Sequence, residues 1–133
     1  IQECIGMEPT DLYRGKTDYI AVFPSARDID EAIPNLAAIS KLDARGLVIT
    51  AKGTDTDFVS RFFAPQSGID EDPVTGSAHT SLIPLWSSIL GKTEMVAKQL
   101  SERGGLLHCY YRNDRCYIGG KAVLYLKGTI YIR

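Results

Sequence analysis

The fold class that the sequence predicts is α+β: a curved mixed β-sheet or half-barrel wrapped around a central apolar helix. Three observations predict it. Short runs rich in β-branched and aromatic residues recur along the chain from Asp18 onward. One segment, residues 76–91, runs for about four helical turns without an Asp, Glu, Lys or Arg. The order is strand, short helices, hairpin, apolar helix and strand-rich tail, and an α+β domain follows from that order. At 133 residues the chain reads as a single domain, 1–133, long enough to bury a core.

The elements follow in order. "DYIAVFPS" (18–25) is a short β-rich run closed by a proline and is predicted to be a strand. In "ARDIDEAIPNLAAISKL", Ile29, Ile33, Leu36 and Ile39 recur at helical spacing, with Pro34 placed in the first turn of a second short helix. "RGLVITAKG" and "FVSRFFAP", separated by the polar turn "TDTD", predict a hairpin. After the apolar helix, "EMVAKQL" is a strand, "SERGG" a turn, and "LLHCYY" with "RCYIGG" a second hairpin about Asn113-Asp114. "AVLYLKGTIYI" is expected to close the fold with one or two further strands. No internal repeat or low-complexity tract interrupts this order.

Helix 76–91 carries most of the prediction. Leu82, Ile83, Leu85, Trp86, Ile89 and Leu90 spread around its axis, so it is expected to be enclosed on most sides. Pro84 lacks an amide donor and is expected to kink it near Thr80.

Composition narrows the partners. The chain is 44% hydrophobic and 23% charged, within the ordinary globular range. A net charge of −1 gives no field for holding nucleic acid or an anionic membrane surface. No window has the length of a bilayer-spanning run and no signal-peptide pattern opens the chain, so a cytoplasmic location is expected. The three cysteines, Cys4, Cys109 and Cys116, lack metal-ligand spacing, and no metal site is predicted. A two-residue loop at Asn113-Asp114 would set Tyr111 opposite Cys116, leaving Cys109 a diagonal neighbour; two reduced, packed thiols fit that geometry better than a disulfide. The chain opens on Ile1, and its first residues read as the continuation of a longer protein.

The chemistry concentrates in "GIDEDPVTGSAH" (68–79). A helix start leaves its first N–H groups without intrahelical acceptors, and the macrodipole makes that end partly positive. Thr75 or Ser77 can cap this start, and Gly76 lets a ligand approach the backbone closely. In a low-dielectric pocket the natural guest is a substrate carboxylate or a developing oxyanion. Asp72 lies just outside, stiffened by Pro73, where a carboxylate can orient a substrate amine or hydroxyl or exchange a proton with it. Against this stands the plainer possibility that Asp70, Glu71 and Asp72 are a solvated acidic run favouring the helix dipole. His79, in the first helical turn, is a candidate substrate-binding residue, although a helical His facing a core is more often hydrogen-bonded structure. His108 has no neighbours at useful spacing. Arg61, interrupting an apolar strand, is either a rim residue or an anchor for an acidic group, and Arg103 could project over the pocket.

"FFAPQSGIDEDPVTGSAH", continuing through the apolar helix to "LGK" and then "SERGG", closely resembles the phenazine biosynthesis PhzF-like isomerase family, whose fold is that of diaminopimelate epimerase. "EDPVTGSAH" is the most specific stretch, and the resemblance covers most of the chain. It implies a protein of two similar halves with the active site in the cleft between them, this chain corresponding to the C-terminal half. Asp72 then matches the family's active-site aspartate, and Gly76 and Ser77 match residues that hold the substrate carboxylate. No cysteine falls between Cys4 and Cys109, so the two-thiol racemase mechanism of the epimerase branch is not expected. The proton-shuttling glutamate and a substrate-holding histidine belong to the N-terminal half, which has no counterpart in this chain.

The resemblance thus implies a cofactor-independent isomerase acting on a small carboxylate-bearing metabolite. It names the N-terminal half as a partner and implies that this chain alone is inactive. The alternatives are a small-anion-binding or self-associating module, including a homodimer, and a purely structural domain.

Overall fold

The computed structural model describes residues 1–132. A single mixed sheet of seven strands organises them, in the order β1-β2-β3-β4-β5-β6-β7. The strands are β1 (Asp11–Arg14), β2 (Asp18–Val22), β3 (Gly46–Lys52), β4 (Phe58–Phe63), β5 (Glu94–Gln99), β6 (Gly105–Arg112) and β7 (Arg115–Gly119). Pairs β2/β3 and β4/β5 are parallel and the rest antiparallel. Each parallel pair needs a crossover. Short helices α2 (Ala26–Asp30) and α3 (Leu36–Ile39) fill the first, and α4 (Gly76–Leu90) fills the second. Helix α1 (Gln2–Ile5) precedes the sheet. The α+β class and the mixed sheet are as predicted, and no helix of the described residues is long and apolar enough to cross a membrane.

Side-chain alternation divides the core between the two faces of the sheet. On one face Ile20, Val48, Phe58, Phe62, Met95 and Ala97 pack against Ala78, Leu82, Ile83 and Trp86 of α4. On the other, Ala21, Leu47, Ile49, Val59 and Phe63 pack against Ile5, Ile29 and Ile39 of the three short helices. Trp86 ties α4 to the sheet by stacking on Phe58, with centroids 5.7 Å apart, and by donating its indole N–H to Thr50 Oγ1 at 3.0 Å.

Helix α4 is less enclosed than its sequence predicts. Ala78, His79, Leu82, Ile83 and Trp86 form one buried stripe, whereas Ser77, Thr80, Ser88 and Ile89 face out. The physical reason is that serine and threonine serve water as readily as a core, so absence of charge does not imply burial on every side. The sheet also stays open, with β1 and β7 as its two edges. The helix runs on through Pro84 as one element. A proline at 84 leaves the Thr80 carbonyl without its i+4 donor, and the Cys116 thiol, 3.6 Å away on β7, takes that place.

Three local expectations are corrected. Ile33 lies outside any helix and is 84% exposed, because α2 stops at Asp30. Pro34 precedes Asn35, whose side chain caps α3 by accepting from the Ala38 amide. Residues 122–132, expected to form one or two strands, pair with nothing among the described residues, and Val123, Leu124, Tyr125, Leu126, Ile130, Tyr131 and Ile132 are 78–99% exposed. Strand propensity describes how a side chain fits a pleated, half-buried surface; without a neighbouring strand it fixes no strand. The hairpin at Asn113-Asp114 forms as predicted, both residues at positive φ, with Tyr111 opposite Cys116 and all three cysteines free.

Candidate active site

The three acids before α4 have three different surroundings. Asp70 is exposed. Glu71 receives both arms of the Arg61 guanidinium, at 2.7 and 2.9 Å, while the same guanidinium donates to the carbonyls of Ile29 and Ala32. Arg61 is therefore an anchor, tying the acidic loop to the end of α2. Asp72 accepts a hydrogen bond of 2.6 Å from the Thr75 hydroxyl.

The turn 72–75 is held from all sides. Asp72 N–H donates to Phe62 O at 3.0 Å. Gln99, on the core face of β5 and 1% exposed, donates Nε2 to the Asp72 carbonyl at 2.6 Å and to Thr75 Oγ1 at 3.1 Å. Its Oε1 accepts the Thr75 amide at 2.8 Å. Ser101 Oγ donates to the Pro73 carbonyl at 2.6 Å and accepts the Gly104 amide. The two glycines of "SERGG" have separate reasons: Gly104 sits at φ +70, and a Cβ on Gly105 would lie 2.3 Å from Val74 Cγ2. The turn that presents Asp72 is thus fixed before any ligand arrives.

Thr75 takes the N-cap position, but neither its hydroxyl nor that of Ser77 caps the helix. The Thr75 hydroxyl is turned onto Asp72, leaving the Gly76 and Ser77 amides without a protein acceptor among the described residues. Gly76 and Ser77 are exposed, and nothing lies within 4 Å of the position a Gly76 Cβ would take. The tip of α4 is therefore open. Beside it Val74, Gly76, Arg103, Leu106, Ile118 and Lys121 line a groove of about 640 Å³.

His79 lies behind the tip, fully buried against Phe58. Its Nδ1 is 2.7 Å from the Thr75 carbonyl, and because a carbonyl only accepts, Nδ1 carries the hydrogen and Nε2 is the bare nitrogen. That Nε2 has no partner among the described residues. Burial lowers the His79 pKa below its ordinary value, only partly opposed by the bond to Thr75, so the ring is neutral. His79 thus braces the N-cap carbonyl from within the core, and the open tip presents Asp72, Gly76 and Ser77. His108 faces out from β6.

Two charged residues absent from the sequence-based set stand beside the helix tip. Strands β2 and β3 are parallel with Asp18 opposite Gly46, which sets Arg45 beside Asp18. The Arg45 guanidinium donates to Asp18 at 2.8 and 2.5 Å and to Ser77 Oγ at 3.0 Å. Hydrogen bonding to Asp18, helped by the nearby Asp72 charge, raises the Arg45 pKa further. The signal in the sequence was a charged residue opening each of two apolar strands; Gln99, a polar residue in phase with Met95 and Ala97 on a core face, was a third. Among the described residues no group of His, Cys, Asp and Glu is placed to hold a metal ion.

Comparison with known proteins identifies the family. Residues 5–128 match the model of the phenazine biosynthesis-like protein family. An uncharacterized isomerase of Pseudomonas aeruginosa is 46% identical over 131 residues, 98% of this chain and 50% of the relative. The mouse phenazine biosynthesis-like domain-containing protein 2 is 49% identical over 107 residues, 75% of this chain and 36% of its own length. Among solved structures, a PhzF-family protein of Enterococcus faecalis superposes with a TM-score of 0.91 at 39% identity, covering 98% of this chain and 50% of that one. A PhzC/PhzF protein of Clostridium difficile gives a TM-score of 0.86 at 47% identity, covering 96% and 49%. The chain spans about half the length of the bacterial relatives it matches. With a family match over residues 5–128, the chain belongs to the phenazine biosynthesis-like protein family.

Proposed function

We propose that this chain is one half, the C-terminal one, of an isomerase that moves a proton on a small carboxylate-bearing molecule by acid/base chemistry in the cleft between two halves, without a metal or organic cofactor. The observation that carries this reading is the Asp72 carboxylate, held 2.6 Å from Thr75 Oγ1 beside the open, uncapped tip of α4. The relatives named as isomerases supply the reaction class. In this reading the Gly76 and Ser77 amides hold the substrate carboxylate, using the donors and the dipole of the helix start. Asp72 orients and polarises the substrate's amine or hydroxyl, Thr75 fixes the Asp72 rotamer, and His79 steadies the N-cap from behind. The proton itself is carried by a carboxylic acid on the other half, so the 133-residue chain alone is inactive.

The test uses the full-length parent, screened against aromatic and aliphatic amino and hydroxy acids for incorporation of solvent deuterium. Asp72→Ala is expected to lower turnover by about 100-fold or more while stability falls by only about 1–2 kcal/mol. Normal turnover in that variant would refute the assignment. The exposed apolar segment 123–132 favours a second reading, in which the chain associates with a second copy of itself. Sedimentation velocity decides it: a monomer at every concentration removes that reading.

A further inference from the structure

The hydrogen bonds beneath the first turns of α4 leave one donor and one acceptor over. The Trp86 indole N–H goes to Thr50 Oγ1, and the Thr50 hydroxyl goes to the Val59 carbonyl at 2.7 Å. Gln99 commits its amide hydrogens to Asp72 and Thr75, the Thr75 hydroxyl goes to Asp72, and His79 Nδ1–H goes to the Thr75 carbonyl. What remains is the Ser60 hydroxyl and the bare Nε2 of His79, both buried and each without a partner among the described residues. The two share one neighbourhood. Ser60 faces α4 from β4, in phase with Phe58 and Phe62, and its register partner on β5 is Gln99. Gln99 holds Thr75, Thr75 holds His79, and the His79 ring lies 5.9 Å from that of Phe58.

We infer that one enclosed water molecule binds between Ser60 and His79, accepting the Ser60 hydroxyl and donating to His79 Nε2. Polarity selects the guest. Nε2 can only accept, because Nδ1 carries the hydrogen, so the guest must donate to it, which a bare anion cannot do. The guest must also accept from Ser60. Among the described residues no cluster of His, Cys, Asp and Glu is placed to hold a metal ion, so a cation lacks its ligands here. Water has both polarities, and enclosed waters make about three hydrogen bonds to buried groups that would otherwise go unpaired. Gln99 Oε1, which accepts the Thr75 amide, takes the second hydrogen of the water. The water thereby completes a hydrogen-bonded run from Ser60 on β4 through His79 to the N-cap carbonyl of α4. This assignment goes beyond the function proposed above and does not depend on what the helix tip binds.

A high-resolution crystal structure of the 133-residue chain tests this directly. One ordered water is expected within about 3.2 Å of both Ser60 Oγ and His79 Nε2. Direct contact between the two side chains, or no ordered water between them, overturns the inference. A double-mutant cycle followed by urea unfolding tests it in solution. Ser60→Val puts methyl groups where the hydroxyl and the water were, leaving Nε2 unpaired, and should lower the folding equilibrium constant by about tenfold or more. His79→Phe removes the acceptor. In that background Ser60→Val should cost about fivefold less than it does alone, because no buried nitrogen is left wanting a donor. A Ser60 that served only to fill space would show the same loss whether His or Phe stands at 79, and such additivity overturns the inference. If Ser60→Val does not fold, Ser60→Ala takes its place in the same cycle, and additive losses there overturn it equally.

Discussion

The two faces of the sheet are buried equally well but contain different chemistry. Under the short helices, the core is made of Ile5, Ala21, Phe23, Ile29, Ile39, Leu47, Ile49, Val59 and Phe63, with no buried polar side chain. Against α4, apolar residues of similar size are interspersed with Asp18, Thr50, Ser60, Thr75, His79 and Gln99, the complete set of buried polar residues among those described. Strand alternation accounts for this: Thr50 and Ser60 share a side with Val48, Phe58 and Phe62, and Gln99 shares one with Met95 and Ala97. One face supplies stability alone, while the other holds the turn and helix tip of the candidate site. Buried polar groups need partners, and most find them, though Ser60 Oγ and His79 Nε2 have none among the described residues.

Several measurements would break or sharpen that contrast. The largest expected changes come from truncating one large residue on each face. Leu82→Ala and Ile49→Ala should each cost about 2–5 kcal/mol in urea unfolding, and a much smaller loss on one side would show that its core can collapse. Next comes Gln99→Leu, which leaves the Thr75 amide and the Asp72 carbonyl unpaired. A loss of about 2–3 kcal/mol is expected, together with smaller shifts of the Gly76 amide when benzoate, a simple carboxylate, is titrated in. Wild-type benzoate binding in that variant would mean that the turn holds itself.

His79 gives a smaller, pH-dependent effect. Its folded pKa lies below its unfolded value near 6.5, so the unfolded chain binds the extra proton first. The stability linked to the neutral ring is complete above that pH and is lost as the pH falls below it, by at most about 1.4 kcal/mol per pH unit. Comparing urea midpoints at pH 7.5 and 5.5 tests this, and His79→Gln should flatten the difference. The smallest effect concerns the thiols. Burial pushes the Cys109 pKa up to about 11 and raises that of Cys4 and Cys116. In the native chain at pH 8, iodoacetamide should modify the partly exposed Cys116 first and Cys109 only after unfolding. Rapid labelling of Cys109 would show that this part of the core opens.

What could be read from the sequence follows the range of the forces involved. Strands β3 and β4 were legible because their apolar runs are bounded by turn residues, and the β6–β7 hairpin because Asn113-Asp114 suits positive φ. The helix start was legible because Thr75, Gly76 and Ser77 follow an acidic loop. Arg45 and Asp18 were not, since they lie 27 residues apart and meet only through the parallel pairing of β2 with β3. Strand β1, four exposed residues, has no alternation to detect. Arg61 had two readings, and only the tertiary contact with Glu71 selects the anchor.

The unpaired run at the far end of the chain has a practical consequence for handling the protein. With a net charge of −1 there is little mutual repulsion between molecules in solution, while Val123 through Ile132 present a sticky strip to every collision. How concentrated a sample can be made before it clouds will therefore be governed by this strip, and shortening the chain to Gly119 should raise that ceiling.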